Sequence, residues 1–277
     1  MATSINNNLT AQLALQVLNT TMGSLQKTQA EISTGLRVAG PSDDSAVYSE
    51  AQRLRADTDS LQSVTNSLNR ASSIINVAST AGVSISDLLN QIKTKVVAGA
   101  DPSNDTISRK AYNQDVQALL AQITRTVQSA SFSGANLLDG SIPSACLSFI
   151  ADAGATNFIT VFTQNLNLGH GIVTLSATAN ILTASSASRM LTSVNQSIAN
   201  VNASLATIGA AGTAISQRVA FISNLSVSLN SGISNLVDAD VASESAKLQA
   251  LQVKQQLGVQ MLSIANTQSQ VLLSLFK

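Results

Sequence analysis

The feature that most limits what this chain can become is a seven-residue repeat. Val47, Leu54, Leu61, Leu68, Ile75, Gly82, Leu89 and Val96 recur at that interval, and Val64, Ala71, Ala78, Ile85 and Ile92 each follow a member of the first set by three places. Apolar residues at the two seam positions of a heptad form a stripe on one side of an α-helix, and a stripe held this long must lie against partner helices over its whole length. The repeat predicts a helix over about 43–98, on the order of 80 Å long at the usual rise per residue.

A second array of the same kind lies further along. Val194, Val201, Ile208, Ile215, Ile222, Leu229 and Leu236 step by seven, with Leu191, Ile198, Leu205, Val219 and Ile233 completing the seam, which predicts a helix over about 186–235. Between the arrays, Asp101 and Pro102 suit the start of a shorter helix over about 102–130, with Val116, Leu119, Ile123 and Val127 facing inward. The pattern then changes. Phe158–Phe162 and Ile172–Leu175 are β-branched and aromatic, with turn residues from Asn165 to Gly171, so a β-hairpin region is expected over about 142–177. The fold class that follows is mainly α: long antiparallel heptad-containing helices forming a rod, with a small central β-hairpin region.

The two ends carry helices of another kind. Leu15, Leu18, Met22, Leu25, Ile32 and Leu36 are spaced by threes and fours, with Gln29 in the one skipped place. That helix is expected to stop near Gly40–Pro41, where Ser42, Asp43 and Asp44 can cap the next one. At the other end Leu257, Met261, Ile264, Val271 and Leu275 form an apolar face that Leu262, Ala265, Leu272 and Phe276 widen. Gln256, Gln260, Ser263, Thr267, Gln270 and Ser274 make a narrow polar stripe. No Asp, Glu, Lys or Arg occurs from Met1 to Gln26 or from Gln255 to Phe276, whereas helices facing water normally carry both signs. The expected division is a terminal helix in 1–42, a rod in 43–235 and a second terminal helix in 236–277.

Charge and composition exclude several functions. Fifteen basic residues balance fifteen acidic ones without a basic cluster, so nucleic acid is not an expected partner. Aromatic residues are 3% and Trp is absent, which leaves Ala, Val, Ile and Leu to build the interior. Cys146 is alone, can form no intrachain disulfide and reads as a small buried apolar residue. Met1–Ser4 has no basic leader, so no cleavable secretory signal is expected, and no unbroken run of about 18 apolar residues suggests membrane insertion. The single histidine, His170, sits in a glycine-flanked turn with no acid nearby in sequence to orient it as a base. The pairs Asp43/Asp44 and Asp238/Asp240 stand at helix starts and read as caps. No catalytic, cofactor or metal site is expected.

Four stretches bear a specific resemblance. Ile32–Arg37 followed by Pro41–Ala46, Phe132–Gly140, Asp238–Glu244, and Leu262–Asn266 with the ending Leu272–Phe276 are similar to the N-terminal, turn and C-terminal motifs of bacterial flagellin, and the chain's brevity resembles the short alphaproteobacterial type. The resemblance implies a structural, non-enzymatic subunit that forms a helical homopolymer used for swimming. It implies terminal helices as the filament core and the rod as the surface. It also implies export unfolded through the flagellar type III apparatus with a chaperone, and contacts with other flagellins, the filament cap and the hook-filament junction proteins. A hook-filament junction protein and a secreted coiled-coil effector or binding module are the alternatives; the second would remain a soluble monomer.

Overall fold

The computed structural model describes the backbone of residues 8–274 and the side chains as far as Thr267. Met1–Ser4, the side chains of Gln270, Val271, Leu272 and Ser274, and Leu275 and Phe276 therefore lie outside the described residues. The order of elements is α1 (Leu9–Thr34), α2 (Ser45–Ala100), α3 (Thr106–Ser129), β1 (Ser131–Phe132), β2 (Ala135–Asn136), β3 (Cys146–Ile150), β4 (Phe158–Phe162), α4 (Ala184–Val237) and α5 (Val241–Ser274). The chain forms two compact units, one from Asp57–Ser226 and one from Met1–Ala56 with Val227–Lys277.

In the first unit the heptads do what their spacing demands. Leu61, Val64, Leu68, Ala71, Ile75, Ala78, Ile85, Leu89, Ile92 and Val96 of α2 are buried, as are Val194, Val201, Ile208, Ile215 and Ile222 of α4. The helices are antiparallel. A Cβ on Gly212 would lie 3.3 Å from Ile75 Cγ2, and one on Gly82 would lie 2.7 Å from Leu205 Cδ2, so seven residues forward on α2 matches seven back on α4. Gly82 occupies a seam position because Leu205 fills the space that its side chain would take. By length and composition α4 is apolar enough to cross a membrane. Only 22% of its most apolar stretch is buried inside the protein.

Helix α3 returns along α2. Lys95 Nζ is 2.8 Å from Asp115 Oδ2, and Arg109 Nε donates to Gly99 O at 3.1 Å. It starts later than the sequence suggested: Asp105, not Asp101, is the N-cap and accepts from Ser108 N, while Asp101 Oδ1 accepts from Ser103 N in the preceding turn. Its inward set is Val116, Leu120, Ile123 and Val127. Leu120 replaces Leu119 because the 3.6-residue turn brings the fourth residue after Val116 onto the buried line.

The β region is real, but its pairing differs from expectation. Phe158–Phe162 pairs with the upstream run Cys146–Ile150, from Cys146 opposite Phe162 to Ile150 opposite Phe158. Asp152 closes that hairpin: its carboxylate accepts from Thr156 N, Asn157 N, Thr156 Oγ1 and Asn157 Nδ2. Ile172–Leu175 makes only an isolated bridge, Leu168 to Val173, since Thr174 N donates to Ser197 Oγ of α4 at 3.0 Å and Val173 and Leu175 are buried. A second, tighter hairpin pairs β1 with β2. Ser133 (φ 52°) and Gly134 (φ 81°) supply the two left-handed residues of a type I′ turn. Asn136 then anchors it, donating to Val127 O at 2.7 Å and accepting from Leu138 N at 2.8 Å.

The Asp152 turn generates a pH prediction. Hydrogen bonds from the Thr156 side chain first, then from the Asn157 backbone, lower its pKa from 3.8 to about 2. A depressed carboxylate stabilises the fold above its unfolded pKa and loses that contribution as pH falls through the folded value. Hydrogen exchange of the Thr156 and Asn157 amides should therefore show full protection above pH 3.8 and progressive loss toward about 2, with Asp152→Ala lacking it at every pH.

Candidate assembly interface of the terminal helices

Helix α1 begins with Asn8, whose side chain accepts from Ala11 N at 3.0 Å. It ends at Thr34, six residues before the expected stop, because Gly35 takes the left-handed conformation (φ 70°) and unwinds the chain. Leu36 consequently leaves the helix and bridges to Asp238, while Arg37 N donates to Val237 O at 2.7 Å and Ala239 N to Gly35 O at 2.9 Å. Val38, Ala51, Ile233 and Val237 form a buried cluster beside this crossing. Of the acids at the next helix start, Asp44 caps α2 by accepting from Ala46 N and Val47 N, and Asp43 Oδ2 holds the Ala39 and Gly40 amides. Asp240 caps α5 through Ala242 N and Ser243 N.

The two terminal helices lie antiparallel. Asn8 Nδ2 donates to Ala265 O at 2.8 Å, and a Cβ on Gly258 would lie 3.2 Å from Leu18 Cδ1. The buried residues are mostly small or polar: Thr21, Thr28 and Glu31 on α1, and Gly258 and Ala265 with one leucine, Leu251, on α5. Leu18, Leu25, Ile32, Leu248 and Leu262 are half-buried, and most other large apolar side chains point away. Leu9, Leu13, Leu15, Val17 and Met22 of α1 and Val253, Leu257, Val259, Met261 and Ile264 of α5 are exposed, Leu13 by 62% and Met261 by 64%. Leu15, Met22, Leu257, Met261 and Ile264, which the sequence places on the apolar faces of the terminal helices, are thus exposed among the described residues. A buried side chain of this size is worth roughly 1.5–3 kcal/mol relative to an exposed one, and a surface of this kind is the mark of an interaction site. The α5 stripe residues Gln256, Gln260, Ser263 and Thr267 are exposed as well.

The remaining candidates lie elsewhere. His170 is exposed in a turn between Gly169 (φ 79°) and Gly171 (φ 81°), its Nδ1 3.0 Å from Leu168 O. Cys146 is half-buried on β3 opposite Phe162 rather than fully inside. Among the described residues no group of three or more His, Cys, Asp or Glu is placed to hold a metal. What sequence reasoning missed is the polar contact of Thr21, Thr28 and Glu31. The seven-residue step from Thr21 to Thr28 was its signal.

Residues 5–142 match the bacterial flagellin N-terminal helical region, and residues 191–276 match the bacterial flagellin C-terminal helical region. The chain belongs to the bacterial flagellin family. It is similar to the flagellin FljJ of Caulobacter vibrioides, 43% identical over 100% of this chain and 99% of that one, and to a flagellin of Brucella melitensis, 35% identical over 99% of each. A hook-associated protein structure from Vibrio parahaemolyticus shares the fold at 13% identity and a TM-score of 0.58, over 71% of this chain and 100% of that one. This flagellin is a structural subunit of the bacterial flagellar filament, which lies outside the cell. Its family motifs have local structural reasons: Gly35 ends α1, Ser133–Gly134 makes the I′ turn, Asn136 ties that turn to α3, and Asp240 starts α5.

The exposed apolar face generates a paired test. Ile264 is 58% exposed, so Ile264→Asp should leave the monomer's helix content unchanged while costing about 3–5 kcal/mol per subunit in an apolar interface. Ser263→Asp, on the polar stripe, should still assemble. Sedimentation at equal protein concentration compares the filament yields; equal yields would show that the two residues do not differ in this way.

Proposed function

We propose that this flagellin polymerises through α1 and α5, and that 1–42 and 236–277 are the filament-core segments while 43–235 is the rod domain that forms the filament surface. The observation that carries the reading is the exposed apolar face on both terminal helices, in stretches without a charged residue from Met1 to Gln26 and from Gln255 to Phe276. Neighbouring copies would bury those side chains, and the polar stripe of α5 would line a water-filled channel through which later subunits pass. An uncharged lining holds neither sign of a passing chain.

The subunit is exported unfolded through the flagellar type III apparatus with a chaperone, and assembles between the hook-filament junction and the filament cap, alone or with other flagellin paralogues. Its role is structural and non-enzymatic. Flagellin relatives that match nearly the whole chain favour the filament over the junction protein. The exposed apolar faces favour a polymer over a soluble coiled-coil module, which would have to keep them in water.

Because α1 and α5 touch each other chiefly through small and polar residues, their own pairing adds little apolar burial, and the ends should open readily before assembly. Brief proteolysis should trim the monomer to a core of roughly 42–236, while salt-induced filaments, identified by electron microscopy, should resist. Monomer ends as resistant as those in filaments, or globular monomers under all conditions, would contradict the proposal.

A further inference from the structure

A polar cavity of about 340 Å³ opens between α1, the loop after it and the first turns of α5. Four acids and three bases line it: Glu31, Asp43, Asp44 and Glu244 against Lys27, Arg37 and Lys247. Most are already engaged. Asp43 and Asp44 hold backbone amides, Arg37 donates to Leu236 O at 2.6 Å, and Lys247 Nζ donates to Glu244 Oε2 at 3.0 Å. Lys247 is the main cause that keeps the Glu244 carboxyl below its usual range, and the Thr28 and Glu31 side chains beside it act in the same direction.

Glu31 differs from its neighbours. Its side chain is 9% exposed, and Oε1 is 3.9 Å from the ammonium of Lys27, a side chain that is itself 58% exposed. Glu31 Oε2 is buried without a hydrogen-bond partner, and so is Thr28 Oγ1, one turn earlier on α1. A buried acid oxygen without a close hydrogen-bond partner is unfavourable, and Glu31 also lies beside the Glu244 carboxyl, so the cavity floor gathers two acids and gives Glu31 Oε2 no donor at hydrogen-bonding distance. The lining carries one more negative than positive group, which favours a cation as the source of that donor. With no metal-holding group of three or more acids, His or Cys among the described residues, an organic cation fits the chemistry.

We propose that the cavity is a socket for a lysine or arginine side chain of a neighbouring copy of this chain in the filament, whose ammonium or guanidinium donates to Glu31 Oε2. This rests on polymerisation through α1 and α5. The second copy is the occupant because the socket is lined by the same two helices, α1 and α5, that carry the exposed apolar faces. The incoming cation must come from outside the neighbour's charge-free stretches, so from its basic residues between Lys27 and Lys254 or from Lys277. Apolar faces attract without fixing register. A buried charge pair at their margin selects one register among those that the greasy surfaces would tolerate.

Helical reconstruction of wild-type filaments by electron cryomicroscopy reads the socket directly. The expected result is a Lys or Arg head group of another subunit within hydrogen-bonding distance of Glu31; a socket holding only water, or a side chain of its own subunit, overturns the proposal. As a second measurement, Glu31→Gln keeps the size and removes the charge. It should raise the critical concentration for polymerisation about tenfold, the effect of weakening one charge-assisted hydrogen bond, with monomer helix content unchanged. A critical concentration equal to that of the wild type overturns it. Absence of filaments from the wild type would sink the polymerisation reading, and the socket with it.

Discussion

The rest of the Asp57–Ser226 unit depends on the dry seam between α2 and α4. Leu68, Ile85, Leu89 and Ile92 on one helix and Val194, Val201, Ile208 and Ile215 on the other are fully or almost fully buried, with no ring among them. Such a seam is narrow, and its order comes from repetition instead of from a thick core. Gly82 shows how closely the two surfaces fit, since Leu205 occupies the room that a Cβ would need. Once the seam is set, less regular segments have fixed partners to bind: the Thr174 amide finds Ser197, the Ile181 amide finds Asn113, and Arg218 holds Ala151 O beside the β3–β4 turn.

The terminal helices invert that logic. In α2 and α4 the apolar stripe is the intramolecular contact, whereas in α1 and α5 the buried residues are chiefly Thr21, Thr28, Glu31, Gly258 and Ala265 with Leu251, and most of the large apolar side chains face outward. A single chain therefore leaves its most water-averse surface unsatisfied at its ends. In a subunit that polymerises through these helices, as proposed, the free energy withheld from the monomer would become available when copies meet. Glu31 belongs to the same economy of the polymer: a buried oxygen that one chain leaves without a donor is one that a neighbour can satisfy.

Function was legible where it took the form of repetition or absence. The heptads of α2 and α4 announced themselves because a seam residue must recur every turn or two, and the missing charges at both ends were visible because helices in water need them. The helix caps were legible to within a few residues. Asp44 and Asp240 are caps as read, while Asp105 displaced Asp101 because the chain makes a further turn after Pro102 before it can enter α3.

By itself, then, the sequence determined the helical class, the two long seams and the uncharged ends, since each is a periodic or compositional property that one chain carries without reference to any other part. Only the tertiary structure decided which strand pairs with Phe158–Phe162, which way the apolar residues of α1 and α5 point, and that Thr28 and Glu31 lie buried beside Glu244. These are choices between partners of similar local quality. Cys146–Ile150 and Ile172–Leu175 are both plausible strands, and the tight Asp152 turn on one side, with Ser197 capturing the Thr174 amide on the other, settles the contest. In α1 the narrow polar line can pack against another small-residue face, and most of the broad apolar one stays exposed among the described residues. That geometry arises only when both helices are in place.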